Sequence, residues 1–373
     1  MKIPKKTALV YCDKQFGLAD GKTATGLVRH SEIYTLVGVI DSLLAGRDAG
    51  EVLGGKRNNI PIFATLDEAL SDLLEVPNCY IYGKAPLDAY IPVEERFLIL
   101  QAMEKGMNII NGLHQFFSED EEFAHRAAEC NVQIKDIRKP PKLENSHVFT
   151  GLISKVDVPV IAILGTDCAC GKMTTGVELN KALNDLGLKS VMVATGQTSL
   201  MQGAKYGISM DALTSQFAIG ELENAVVQAF EREEPDIILI EGQSAVSHPA
   251  FMSSIGILKG SAPDGIILQH PHGREFRCDF PGLVMPTVEF EIQLIEAISQ
   301  SSVIAIALNH ENLVDEEIPR IIKDYENYFH LPTTDVLSYG CQKLVQTLGD
   351  RFPTLNRKIN HRCLEEREFS YVY

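Results

Sequence analysis

One loop between a buried strand and a helix restricts the possible fold of this chain more than any other stretch. The apolar run VIAILG at Val160–Gly165 is typical of a strand buried on both faces, and Lys172 begins a helical pattern. The loop between them ends in a second glycine, Gly171. Glycines let successive backbone N–H groups face one ligand, and the first turn of a helix attracts negative charge. The stretch therefore predicts a phosphate-binding strand–loop–helix unit, with an ordinary strand-to-helix turn as the alternative.

The loop departs from the common P-loop pattern G-x-x-x-x-G-K-[ST] in two places. Five residues separate its glycines instead of four, and Met173 stands where a magnesium-binding hydroxyl residue is expected. Phosphate binding is predicted, whereas magnesium binding is left open. The predicted cofactor-binding residues of the loop are Gly165, Thr166, Asp167, Cys168, Ala169, Cys170, Gly171, Lys172, Met173, Thr174 and Thr175.

The rest of the chain alternates short apolar runs with helical patterns, which predicts parallel α/β layers. The run RKPPK at 138–142 interrupts this alternation and marks a domain boundary. The predicted fold class is α/β, with a Rossmann-like parallel-sheet domain at 1–145 followed by a P-loop NTPase-like α/β domain at 146–373. Asp41 ends the second apolar run, where an acid either holds a ribose or caps the following helix.

Charge and hydropathy limit the partners and the compartment. The 34 basic and 50 acidic residues give a net charge of -16, which argues against nucleic-acid binding because phosphate polyanions would be repelled. No run approaches the roughly 20 apolar residues of a membrane span, and the start of the chain does not resemble a signal peptide. We expect a cytoplasmic homo-oligomer that binds neither nucleic acid nor a membrane.

Polar residues follow several strand ends of the second domain, where the carboxyl ends of parallel strands meet. Glu241 ends an apolar run at 236–241, the place where P-loop proteins put a second acidic group near metal or water. His248 and His270 follow neighbouring runs, and each is either a general base or a structural histidine. The candidate catalytic residues are Glu241, His248, His270 and Lys172.

Amides, a hydroxyl and a guanidinium at the same strand ends suit a small molecule that carries a carboxylate. Arg274 can form a bidentate pair with a carboxylate or phosphate. Asn309 ends a later strand, where many P-loop proteins hold a purine base, and is a candidate cofactor contact. The candidate substrate-binding residues are Gln197, Gln243, Ser244 and Arg274.

No metal site is predicted from the sequence. Cys168 and Cys170 form C-x-C without the second half of a zinc site, and they lie where backbone must wrap phosphate. His270 and His272 are neighbours in an extended loop and have no obvious third ligand.

Several motifs together resemble a known family, the DgcN-type D-glutamate N-acetyltransferases. The loop alone also resembles that of dethiobiotin synthetases, which place threonine directly after the lysine. Beyond the loop, the motifs that carry the first resemblance are VIDS at 39–42, AGRDAGEVL at 45–53, GLH at 112–114, EGQ at 241–243, His248 with Pro249, and His270 with Arg274.

The resemblance implies a Rossmann-like domain, a P-loop domain and transfer of acetyl from acetyl-CoA to the amine of D-glutamate or a related amino acid. It also implies a functional link to an enolase-superfamily epimerase that acts on the acetylated product. Ser244 stands where the family usually has glycine, and Gln216 where it usually has aspartate. These departures suggest a different amino-acid preference.

The sequence therefore favours an N-acetyltransferase whose loop holds the phosphates of acetyl-CoA. Because CoA carries a pyrophosphate and a 3′-phosphate, a phosphate loop without the magnesium hydroxyl suits it. The alternatives are an ATP- and magnesium-dependent ligase or kinase acting on a carboxylate-bearing small molecule, and a non-catalytic nucleotide sensor.

Overall fold

The structure, a computed structural model, describes residues 5–86 and 90–359. The chain divides into two compact units. The first contains the residues up to Pro141 together with Gln197–Ala204, and the second contains Lys142–Gly196 and the residues from Lys205 onward.

The first unit is built on a six-stranded parallel sheet in the order β3-β2-β1-β4-β5-β6. This is the strand order of dinucleotide-binding Rossmann sheets, so the predicted Rossmann-like fold is confirmed. Its strands are β1 (Lys6–Tyr11), β2 (Tyr34–Ile40), β3 (Ile62–Phe63), β4 (Cys79–Tyr82), β5 (Asn108–Asn111) and β6 (Ile134–Asp136). Its N-terminal helices are α1 (Lys22–Arg29), α2 (Ala49–Gly54), α3 (Leu66–Asp72), α4 (Val93–Glu104) and α5 (Glu121–Glu129).

The crevice between β1 and β4, which holds the nucleotide in such sheets, is bridged by the chain itself. The N–H of Ala24, in the first turn of α1, donates to the carbonyl of Gly83 at 3.0 Å. The Asp41 carboxylate accepts from the N–H groups of Phe16 and Leu43 at 3.1 and 3.0 Å. Asp41 therefore stabilises turns, and the predicted capping of the following helix is wrong, because Asp48 caps α2 by accepting from the N–H of Glu51.

The second unit is built on a seven-stranded parallel sheet in the order β13-β12-β11-β7-β10-β8-β9. Its strands are β7 (Val160–Gly165), β8 (Ser190–Ala194), β9 (Tyr206–Gly207), β10 (Ile237–Glu241), β11 (Gly265–Pro271), β12 (Val303–Asn309) and β13 (Thr333–Thr334). The phosphate-loop strand β7 is thus central, with β10 and β11 on its two sides.

Helices follow most of these strands. They are α6 (Lys172–Asp185), α7 (Gln197–Gln202, part of the first unit), α8 (Ser215–Glu233), α9 (Ser253–Ser261), α10 (Val288–Ser299), α11 (Ile318–Phe329), α12 (Val336–Tyr339) and α13 (Gln342–Arg351). No helix among the described residues is both long and apolar enough to cross a membrane.

Strand β7 is buried on both faces, as its continuous apolar run predicted. Val160, Ala162 and Leu164 pack into a core formed with α8, α9, α10 and α11. Ile161 and Ile163 enter a second core with α6 and α13. The two cores hold the strand from both sides, which fixes where its carboxyl end and the following loop lie.

Gly242, directly after β10, allows this strand to pack closely against β7. A Cβ atom at Gly242 would lie 1.9 Å from the carbonyl oxygen of Ile163. We expect Gly242→Ala to lower the free energy of unfolding by about 1 to 3 kcal/mol, because backbone must shift to relieve the overlap. Gly282→Ala is the control, since a Cβ there meets nothing within 4 Å. Equal stability of the two variants in chemical denaturation would contradict the packing argument.

Candidate active site

The loop after β7 adopts a backbone conformation that depends on its glycines. Gly171, which caps the N-terminus of α6, has a φ of 107°, in the region that favours glycine. A Cβ at Gly165 would lie 2.8 Å from the Cys170 sulfur and 2.9 Å from the Lys172 Cδ atom. Glycine at these two positions is therefore required by a left-handed turn and by the close passage of the lysine stem.

Side chains bind the carbonyl groups of four consecutive loop residues, 167–170. Lys172, Arg274 and Asn309 supply the donors, at distances of 2.6 to 3.3 Å. Among the residues that the structure describes, the backbone N–H groups of 169–172 donate to no protein acceptor. Unpaired N–H groups at the start of a 14-residue helix suit an anion, because the helix dipole adds to their partial positive charge.

Arg274 is the main cross-link between the loop and the rest of the second unit. Its Nε and Nη2 atoms donate to the Glu311 carboxylate at 2.6 and 2.8 Å. Its Nη1 donates to Asp167 at 2.7 Å and to the carbonyl of Cys168, and Nη2 also donates to the carbonyl of Ala169. All five N–H donors are used, so in this conformation none remains for a substrate carboxylate. Its predicted substrate contact stays a prediction, whereas its contacts with the loop are direct.

Asp167 is a fully buried carboxylate beside this cross-link. Besides Arg274, the N–H of Cys278 donates to its Oδ2 at 2.9 Å, and an Arg277 nitrogen lies 3.5 Å from Oδ1. Burial acts to raise the pKa of Asp167, but the hydrogen bonds from Cys278 and Arg274 outweigh it, and the pKa lies below its usual value. Asp167 is therefore ionised and helps hold the loop.

His270 is enclosed at the end of β11. Its Nδ1 lies 2.9 Å from the hydroxyl of Thr166. Burial, followed by the charges of His272 and Arg274, lowers the pKa of His270 to about 3. A base with so low a pKa is a weak proton acceptor at neutral pH, so the geometry does not favour His270 among the three predicted bases.

Burial of neutral His270 makes stability depend on pH. In the unfolded chain the imidazole takes up a proton below about pH 6.5, whereas the folded protein resists protonation down to about pH 3, so stability falls as pH falls through this window. Between pH 7 and pH 5 we expect wild type to lose about 2 kcal/mol more than His270→Asn. Denaturant titrations at both pH values measure this, with the exposed His125→Asn as control. Parallel losses in wild type and His270→Asn would contradict the assignment.

His248 lies on the loop after β10 and is packed between two aromatic rings. Its ring stacks on Phe251 at 4.7 Å and contacts Phe280 at 5.8 Å. The N–H of Ala250 donates to Nδ1 at 3.3 Å, which places the proton of the neutral ring on Nε2. Burial and then the charge of Arg277 lower the pKa of His248. The ring is therefore neutral and directs Nε2 towards Asp167.

Glu291, on α10, fixes the loop that carries His248. Its fully buried carboxylate accepts from the N–H groups of Val246 and Ser247. Ser244, in the same loop, has a φ of 53°, a conformation that glycine adopts without strain. This conformation explains why glycine suits this position in the family that the chain resembles.

Glu241 and Gln243 are held at the end of β10. One oxygen of Glu241 accepts from the N–H groups of Thr195 and Gly196 at 3.0 and 3.3 Å. The Gln243 amide donates to the carbonyl of Thr195 at 2.5 Å. Both predicted residues therefore lie at the junction of β10 and β8, next to the loop strand.

Gln197 belongs to the first unit, in contrast to the other predicted site residues. Its amide lies 3.5 Å from the hydroxyl of Thr23 in α1, and Thr198 contacts the same hydroxyl at 3.0 Å. These hydrogen bonds do not test the predicted contact of Gln197 with substrate, which stays a prediction.

Thr175 and Asn309, two of the predicted cofactor-binding residues, have specific hydrogen-bond partners. The Thr175 hydroxyl donates to the side chain of Gln269 at 2.5 Å, and Asn309 donates to the carbonyl of Cys170 at 3.0 Å. Asn309 thus stabilises the loop directly, and its predicted contact with a purine base stays a prediction.

Sequence reasoning missed several residues that shape this site. Arg277 donates to the carbonyl of Thr166 and to Ser247, and so joins the loop to the His248 segment. Half-buried Glu311 accepts hydrogen bonds from Arg274, and buried Glu291 accepts them from backbone N–H groups. The sequence held one weak signal for these acidic partners. Two arginines, Arg274 and Arg277, follow β11, and an arginine is rarely buried unless it is paired.

Comparisons with known proteins agree with this architecture. Residues 147–345 match a family model described as a domain of unknown function, DUF1611_C, with a P-loop domain. Residues 42–140 match the accompanying DUF1611_N model, described as a Rossmann-like domain. A crystal structure of a DUF1611 family protein from Anabaena variabilis, solved at 2.30 Å, is similar with a TM-score of 0.84 and 29% identity. The alignment covers 92% of this chain and 99% of that one.

Two curated relatives carry the name D-glutamate N-acetyltransferase. The protein from a Pseudoalteromonas species is 30% identical over 257 residues, which cover 67% of this chain and 75% of the relative. The protein from Tritonibacter scottomollicae is 26% identical over 275 residues, which cover 72% of this chain and 80% of the relative.

Proposed function

This chain belongs to the DUF1611 family, and from that premise we propose that it is an N-acetyltransferase that moves acetyl from acetyl-CoA to the amino group of D-glutamate or a related amino acid. The names of the two relatives support the reaction class, and the resemblance found in the sequence points to the same family. The proposal includes related amino acids beside D-glutamate, because Ser244 and Gln216 stand where the resembled family usually has glycine and aspartate.

The observation that carries the proposal is the set of unpaired N–H groups at 169–172, next to the buried Lys172. The pyrophosphate of CoA is an anion that such a set binds, and no triphosphate is needed. Lys172 now donates to the carbonyl of Asp167, from which its ammonium would turn to a phosphate oxygen. The loop is therefore assigned to the CoA phosphates.

The residues after Lys172 fit phosphate binding without a bound magnesium ion. The Met173 side chain has no oxygen to offer a metal at the position where a P-loop places its magnesium-binding hydroxyl. A P-loop protein that splits ATP normally needs a hydroxyl here to hold the ion. This difference favours CoA over ATP as the phosphate-bearing partner.

Glu241 is the proposed general base, because His270 is a weak base and the proton of His248 lies on the nitrogen that faces Asp167. In this scheme Glu241 takes a proton from the substrate ammonium, and the amine nitrogen attacks the thioester carbonyl. The loop N–H groups and Lys172 hold the CoA phosphates and so position the thioester for this attack. The C–S bond then breaks, and the departing thiolate receives the second proton that the amine nitrogen loses as it becomes an amide.

The acetylated amino acid would be consumed by a second enzyme. We propose the epimerase link that the sequence resemblance implies, since an enolase-superfamily enzyme removes a proton next to a carboxylate and acetylation keeps the nitrogen uncharged. This partnership is functional and requires no contact between the two proteins.

The reaction class is tested by incubating the protein with acetyl-CoA, or with ATP and magnesium, against a panel of D- and L-amino acids. Mass spectrometry is expected to find an acetylated product from acetyl-CoA alone, with release of free CoA. ADP formation that needs both magnesium and an acceptor, with no acetylated product, would replace the proposal with a ligase or kinase. Tight nucleotide binding without any turnover would indicate a sensor.

A further inference from the structure

Two buried polar atoms face each other beside the loop without a hydrogen-bond partner among the described residues. They are Oδ1 of Asp167 and Nε2 of His248, which lie 3.8 Å apart, too far for a direct hydrogen bond. Both side chains are fully buried. Because unpaired buried polar atoms are costly, such a pair calls for a bound species between them.

A third ligand atom completes the cluster. The Cys168 sulfur lies with these two atoms in a group whose members are all within 4.8 Å of one another. Oδ2 of Asp279 lies 4.0 Å from the same His248 nitrogen and provides a possible fourth ligand. Thiolate, imidazole and carboxylate are the ligands of zinc-class divalent ions.

We propose that Asp167, Cys168 and His248 form a binding site for a zinc-class divalent cation, with Asp279 or an external ligand in the fourth position. The argument for this site uses only unpaired atoms and distances and does not rest on the proposed acetyl transfer. It also departs from the sequence prediction of no metal site, which considered Cys168 only with Cys170.

The distances require a modest contraction on binding. Bonds of about 2.0 to 2.3 Å in a tetrahedral arrangement place ligand atoms about 3.3 to 3.6 Å apart. The Asp167–His248 separation of 3.8 Å is close to this range, and the sulfur must approach further. We expect rotation of the Cys168 side chain to supply that movement.

Binding rearranges two protons. The Cys168 thiol releases its proton to solvent as the sulfur–metal bond forms, and the imidazole proton passes from Nε2 to Nδ1. The second change gives up the long 3.3 Å hydrogen bond from Ala250. Lys172 and Arg277 also oppose a dication, while the new thiolate and the Asp279 carboxylate offset them. These opposing terms predict a site weaker than a structural zinc finger.

The test measures metal content and not activity. Purified protein is incubated with Zn²⁺, or with Co²⁺ as a spectroscopic probe, desalted and analysed by elemental mass spectrometry and absorption. Wild type is expected to retain about one equivalent of metal, and the cobalt form to show a thiolate charge-transfer band. Cys168→Ser should abolish the band, and His248→Gln should weaken affinity at least about tenfold.

Cys170→Ser is the matched control, since Cys170 is a buried thiol of the same loop outside the ligand set. It should keep both the metal and the band. Absence of stoichiometric metal in folded wild type, or binding that Cys168→Ser and His248→Gln leave unchanged, would overturn the proposal. Because no substrate is present, either result leaves the acetyltransferase proposal to its own test.

Discussion

Replacing Lys172 by methionine is expected to lower kcat/KM for acetyl-CoA by at least about 100-fold, which corresponds to about 3 kcal/mol. Lys172 is buried beside the unpaired loop N–H groups, and its ammonium is expected to pair with a CoA phosphate. Methionine keeps the length and apolar stem of the side chain, which is buried, and removes only the charge. Steady-state kinetics with the best amino acid of the panel measure the loss.

Lys181→Met is the control for this change, because Lys181 lies on the same helix, α6, and is exposed. It should keep wild-type kinetics. Circular dichroism and thermal unfolding of Lys172→Met establish that the fold is retained. An unchanged kcat/KM in folded Lys172→Met would contradict the assignment of the loop to CoA.

Arg274→Met is expected to lower the free energy of unfolding by about 3 to 5 kcal/mol. The substitution leaves the fully buried Asp167 without its main cationic partner and also removes the donors to two loop carbonyls. A buried charge that loses its partner is far more costly than an exposed one. Chemical denaturation monitored by fluorescence or circular dichroism gives the difference.

An exposed ion pair provides the comparison. Replacing Lys205, which pairs with Glu233 at the surface, by methionine should lower stability far less, because exposed ion pairs contribute little. If Arg274→Met is no more destabilising than Lys205→Met, then Asp167 finds another partner and the cross-link is not what holds the loop. Retained stability with a large rise in KM for the amino acid would instead support the predicted substrate contact.

The parts of the site that lie within one strand, loop and helix could be predicted from the local sequence. The apolar run of β7, the two glycines and Lys172 are adjacent in the chain, and their conformation follows from short-range sterics and burial. The alternation of strands and helices likewise predicted two parallel α/β units. The strand orders of both sheets depend on long-range packing, so the sequence predicted the α/β fold class and not these orders.

The contacts of Arg274 could not be predicted, because its partners Asp167 and Glu311 lie 107 and 37 residues away. A guanidinium at a strand end suits an external carboxylate and an internal one equally well. The cluster of Asp167, Cys168 and His248 was missed for the same reason, since a loop residue meets a histidine 80 or 81 positions further along the chain. Residue type indicated the chemistry, and only the fold supplied the partner.

The most direct test of the central claim is a calorimetric titration of CoA into the protein without added magnesium, repeated with Lys172→Met and with ATP in place of CoA. We predict that wild type binds CoA without magnesium, that Lys172→Met weakens this binding at least about tenfold, and that ATP binds more weakly than CoA. Magnesium-dependent binding of ATP together with no detectable binding of CoA would contradict the claim that the loop holds CoA phosphates.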